Sequence, residues 1–110
     1  METIKLQIPP NTIYLKSIRL LAASLASDIG FDIEEVEDIR VVVSEACNYK
    51  MSDEDIKIEF HVDDGFIQIR VSGKDREIEK ENLKIQKLIL EQLADKVEVV
   101  DDKIILTKEK

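Results

Sequence analysis

The chain has 110 residues, 44% of them apolar, and this length predicts one compact domain spanning residues 1–110. Sixteen basic side chains against twenty-four acidic ones leave a net charge of −8, which repels phosphate backbones and argues against nucleic acid as a direct partner. There is no apolar run of roughly eighteen residues and no charged-then-apolar leader. The single cysteine, Cys47, can form no internal disulfide, and with the lone His61 it cannot make a Cys/His zinc site, so no membrane span is expected and the expected compartment is the reducing cytoplasm. A charged fraction of 36% hints at the ion-pair networks found in heat-adapted proteins.

Ile4, Leu6 and Ile8 alternate with Lys5 and Gln7, predicting a half-buried strand closed by Pro9-Pro10. Asn11 or Thr12 is placed to cap a helix running to about Ser27, with Leu15, Ile18, Ala22 and Leu25 inward and Gly30 as its stop. A second helix is expected from Ile33 to about Asn48. Asp32 would cap it with Glu35 three residues on, Phe31 would staple onto Val36, and Ile33, Val36, Ile39, Val43 and Ala46 would form its buried stripe. The period then switches to two: Ile56, Ile58, Phe60 and Val62 point one way, Asp63-Asp64-Gly65 turns the chain, and Ile67, Ile69 and Val71 answer them in a hairpin. A polar stretch from Ser72 to Glu81 leads to a third helix with Ile85, Leu88, Ile89 and Leu93 as its apolar face. Strands at Val97–Val100 and Lys103–Thr107, joined by Asp101-Asp102, complete the order β-α-α-β-β-α-β-β. Runs of strands without strict alternation predict an α+β fold, a two-layer α/β sandwich with all three helices on one face of the sheet.

The chemistry is sparse. Gly30, Gly65 and Gly73 stand singly at turns, which leaves no glycine-rich phosphate loop. His61 falls on the polar face of a strand without a readable nucleophile beside it and is assigned no role, and Cys47 is expected to pack as a small hydrophobe. Glu45 and Asn48, three residues apart, share one helical face. A carboxylate can orient water and an amide oxygen can ligate Mg²⁺, but spacing alone favours a merely solvated face.

The run IRLLAASLASDIGFDIEEVEDIRVVVSEAC, Ile18 to Cys47, carries Ile18-Arg19 in the first helix, Gly30-Phe31 before the second, Glu37-Asp38 followed by Arg40, and the Val-Ser-Glu-Ala signature ending at Ala46. It resembles the front half of the anti-sigma factor serine kinases. These are bacterial transcription switches built on the histidine-kinase-like ATPase fold, also called the Bergerat or GHKL fold. Leu88 to Lys108 likewise resembles the family's closing helix, its Asp-x-Val and its last strands. The resemblance implies an ATP- and Mg²⁺-binding domain that holds a sigma factor inactive and phosphorylates a serine of a small antagonist protein. Against that implication, Glu45 is kept, but the metal-binding amide due four residues later is replaced by Tyr49, and Asn48 comes one residue early, a rotation of about 100°. The adenine-reading Asp-x-Gly falls on Gly73 and Asp75, the phosphate-holding glycines fall on Lys84 and Gln86, and only Ser72 to Leu83 remains where the family has a lid.

The chain therefore reads as a shortened, degenerate member, a pseudokinase-like module for protein contact with no cofactor expected. By the resemblance, partner contact runs through Arg19, with Lys16 and Arg40 as further candidates, and an acidic surface suits a basic partner such as a sigma factor. Two alternatives stand beside this: an active kinase with Glu45 as base and Asn48 on Mg²⁺, and a dimeric interaction subunit.

Overall fold

The computed structural model describes residues 1–76 and 80–110. Strand β1 (Glu2–Ile8) is followed by a single 3₁₀ turn, Thr12–Tyr14, and helix α1 (Leu15–Ile29). Then come α2 (Ile33–Tyr49), β2 (Ile56–Asp63), β3 (Phe66–Ser72), α3 (Lys80–Leu93), β4 (Lys96–Val100) and β5 (Lys103–Glu109). Positions 77–79, the end of the polar stretch expected before the third helix, lie outside the described residues.

The strands form one antiparallel sheet in the order β1-β2-β3-β5-β4. Its register puts Ile4 opposite Phe60, Phe60 opposite Ile69 and Ile69 opposite Leu106, so the apolar half of every alternation falls on one face. Ile56, Ile58, Phe60, Ile67 and Val71 are fully shielded there, beneath the buried residues of α1 and α2. The other face carries Lys57, Glu59, His61, Gln68 and Arg70. Arg70 Nε donates to Gln68 Oε1 at 2.9 Å, and His61 bridges Thr3 at 3.2 Å and Glu59 at 3.1 Å. This is the two-layer α/β sandwich, with its helices gathered over the apolar face of the sheet.

Local chemistry sets the element ends. Asn11 accepts from the Ile13 amide and so caps the 3₁₀ turn, while α1 begins at Leu15. Gly30 adopts φ +101°, a left-handed stop that L side chains resist. Asp32 and Glu35 close a reciprocal capping box, Glu35 N donating to Asp32 Oδ1 at 2.8 Å and Asp32 N to Glu35 Oε1 at 3.1 Å.

Two expected faces need correction. Ile33 is 84% exposed, because it is the first residue of α2 and projects past the core. The buried arc of α2 instead widens to include Val42 and Cys47, since this helix is packed by α1 on one side and α3 on the other. In α3, Ile85 and Leu88 face solvent; Leu90 is buried, as is Ala94 just past the helix end, and Leu93 packs beside them. The Asp95 amide already donates to the Thr107 carbonyl at 2.9 Å, so the chain is pinned to β5 directly after Ala94. That anchor fixes which arc of α3 turns inward.

Candidate functional site

The last turns of α2 meet the segment that leaves β3. The Arg76 amide donates to the Tyr49 carbonyl at 2.9 Å, and the Gly73 amide donates to the Asp102 carbonyl at 3.3 Å, so residues 73–76 are stitched to a helix end and to the β4–β5 turn. Gly73 has φ +151°, and a Cβ there would stand 3.4 Å from the Asp55 carbonyl oxygen. Lys50, at the C-cap of α2, is only 1% exposed. Its ammonium pairs with the Asp75 carboxylate and lies 5.5 Å from the centre of the Tyr49 ring. The Tyr49 hydroxyl reaches Asp75 Oδ2 at 3.5 Å. Burial, and after it the neighbouring Asp75 charge, push the Tyr49 phenol upward, so it stays neutral and a donor.

Beside this cluster runs a groove of about 250 Å³ walled by Tyr49, Leu90, Val97, Val99 and Ile104, with Gln86 and Lys87 along α3. Gln86 Oε1 is buried there without a hydrogen-bond partner among the described residues. Tyr49 belongs to the wall, but Glu45 and Asn48 do not. Both of those are half-buried on α2, and neither side chain is hydrogen-bonded or ion-paired among the described residues. No cluster of three or more His, Cys, Asp or Glu stands ready for a metal ion among the described residues.

The basic candidates lie elsewhere. Arg19 is half-buried, and its Nη1 donates to Ser44 Oγ at 3.1 Å, joining α1 to α2. Arg40, one turn before Ser44, pairs with Glu37 at 3.3 Å, and Lys16, one turn before Arg19, is exposed. The three thus border one α1/α2 seam, and none of them lines the groove beside Tyr49. Lys108 Nζ donates to the Leu93 carbonyl at 2.8 Å and sits 3.5 Å from Asp38, binding β5 to α3 and α2. Cys47 packs as a small hydrophobe, and burial pushes its thiol up to about 12, so it is no nucleophile at neutral pH.

Sequence reasoning singled out Tyr49 and Asp75 but missed Lys50, since a lysine ending a helix reads as a solvated cap. The signal was the new carboxylate at Asp75, which needs a cation nearby if it is to sit against a helix C-terminus.

No family model matches the chain. It is 32% identical over 89 residues to the serine-protein kinase RsbW of Bacillus thuringiensis and to that of Bacillus cereus, covering 76% of this chain and 56% of each relative. To the serine-protein kinase RsbW of Listeria innocua it is 30% identical over 90 residues, covering 76% of this chain and 57% of the relative. The chain thus spans a little over half the length of the curated relatives it matches. Among solved structures, the RsbU and RsbW domains of a Mycobacterium tuberculosis protein match it with a TM-score of 0.76 at 16% identity, over 99% of this chain and 32% of that one. That match shows a common fold, and no helix among the described residues is long and apolar enough to cross a membrane. By sequence and by fold together, the chain belongs to the RsbW family of anti-sigma factor serine kinases.

Proposed function

We propose that this chain is a regulatory protein-binding domain of the RsbW type whose nucleotide site has been converted into an internal brace. One observation carries the reading: Asp75 stands where the family resemblance puts the first adenine-site glycine, and its carboxylate is engaged by the buried Lys50 ammonium and by Tyr49. ATP and Mg²⁺ fit this cluster poorly. Tyr49 holds the position due to the metal-binding amide, a side chain replaces the close backbone approach that glycine allows, and Asp75 would repel a polyphosphate. What remains for function is the α1/α2 seam with Lys16, Arg19 and Arg40, facing a protein partner such as a sigma factor or its antagonist.

Calorimetric titration with Mg-ATP is the test. The brace reading expects no saturable heat at nucleotide concentrations to about 1 mM, and binding tighter than about 100 μM would overturn it in favour of an active kinase using Glu45 and Asn48.

A further inference from the structure

β4 is the last strand of the sheet, so one of its backbone edges meets no other strand. Asp101-Asp102 alone turn the chain into β5, which makes Val100 and Lys103 the closing hydrogen-bonded pair. By the alternation of an antiparallel ladder, Val97 and Val99 then point their N–H and C=O groups outward. Among the described residues, no backbone bond from outside the ladder reaches these groups. The strand lacks the usual protections of a free edge: Lys96–Val100 contains no proline, and its helix-side residues, Val97 and the 64% exposed Val99, are uncharged. Those two valines wall the groove under α3, where Gln86 Oε1 is left without a partner among the described residues. Lys87 stands in the same wall, and Lys84 and Lys80 repeat on its face of α3, one and two turns earlier. All three lysines are exposed and none is ion-paired among the described residues, while Glu91 is the one carboxylate of α3 on that face.

We infer that this edge accepts an extended segment of a partner protein as a sixth strand, one that turns a tyrosine flanked by acidic residues toward α3. A residue paired with Val97 or Val99 shares their side of the sheet, and so do its neighbours two along. The phenol ring suits the apolar walls of a groove of about 250 Å³, and its hydroxyl supplies the donor that Gln86 Oε1 lacks. The flanking carboxylates meet Lys84 and Lys87. The net charge of −8 opposes an acidic segment at long range, but it is screened beyond about 8 Å at 0.15 M salt, inside which the lysines act. The opposite edge selects against the same segment: β1 runs into Pro9-Pro10, and the hollow at its start is lined by Glu2, Asp28, Asp63 and Asp64. None of Lys16, Arg19 and Arg40 lines the groove, so this edge is a second partner surface beside the α1/α2 seam.

Heteronuclear NMR titration of the full 110-residue chain with the peptide acetyl-Thr-Asp-Thr-Tyr-Thr-Asp-Thr-amide, to about 2 mM in about 0.15 M salt, tests this. The expected result is saturable binding with a dissociation constant of roughly 50 μM to 1 mM, and hydrogen exchange at the Val97 and Val99 amides slowed by about fivefold near saturation. Methylating the peptide's tyrosine nitrogen should weaken binding by at least about tenfold, because that N–H is bonded to β4. Lys84→Glu combined with Lys87→Glu should weaken it as much, and should favour a peptide with lysine in place of aspartate. A peptide with phenylalanine for tyrosine should bind wild type about threefold less well and Gln86→Leu no less well, since only wild type then leaves its acceptor unmet. Val99→Pro, which removes an outward N–H that the fold does not use, is read in the same way should the charge-reversed protein fail to fold. No saturable change to the top concentration overturns the inference, as do shifts confined to β1 or to the α1/α2 seam. An N-methylated peptide that binds equally overturns it too, and so do Val97 and Val99 signals that move with protein concentration before any peptide is added, because a second copy would then hold the edge.

Discussion

Lys50 is held by two things of different kinds: its aliphatic stem is buried, and its ammonium has the half-exposed Asp75 carboxylate as counter-ion. Because Asp75 is 58% exposed, the pair lies between a buried bridge and a surface one in worth. Asp75→Asn should cost about 1–3 kcal/mol, since it leaves the shielded ammonium facing a neutral amide. Lys50→Met keeps the stem's volume and removes the charge, so it should change stability by less than about 1 kcal/mol, and adding Asp75→Asn to it should cost little more. Urea denaturation of the four proteins in this cycle reads the coupling directly, and additive effects would show that the two side chains are merely neighbours.

Among the elements, α2 is the one on which both candidate regions depend. It carries Ser44, the seat of Arg19, and at its far end Tyr49 and Lys50. Its N-terminal frame is the Asp32–Glu35 box, reinforced by Glu34 and Glu35 in the first turn, where carboxylates favour the helix dipole. Asp32→Ala should therefore cost about 1 kcal/mol, lowering the melting temperature by about 4–6 °C without altering the denaturant m-value, because the fold survives and only a cap is lost. That box was legible in the sequence as a spacing of polar residues. The arc of α3 was not: Ile85, Leu88 and Ile89 on one side and Leu90, Leu93 and Ala94 on the other are both helical stripes, and periodicity has no means of ranking them. The pinning of Asp95 onto Thr107 decides between them, and it is a contact between residues twelve apart in the chain.

For the molecule as a whole, the net charge is −8, and on the proposed reading a protein partner meets the α1/α2 seam that carries Lys16, Arg19 and the Glu37-paired Arg40. Recovery of partners on immobilised protein from the native lysate should fall sharply for Arg19→Glu. Ser44→Ala, which removes only the internal acceptor for Arg19 and leaves the guanidinium, should keep it. Equal recovery by wild type and Arg19→Glu would move the partner surface away from this seam. Arg40–Glu37 and Lys96–Glu98 are surface ion pairs, each worth at most about 1 kcal/mol.

The sequence by itself determined the element order, the hairpin turn at Asp64-Gly65, the cap of α2, the faces of the strands and the family, because each is written in spacings of a few residues or in a continuous motif. Only the tertiary structure decided that Lys50 is buried against Asp75, that Arg19 is tied to Ser44, that α2 is covered on two sides and that Ile85 and Leu88 turn outward. Those outcomes depend on which surfaces meet after the chain has folded back on itself, and contacts between residues 25 apart, as in Lys50–Asp75 and Arg19–Ser44, leave no periodic trace in the sequence.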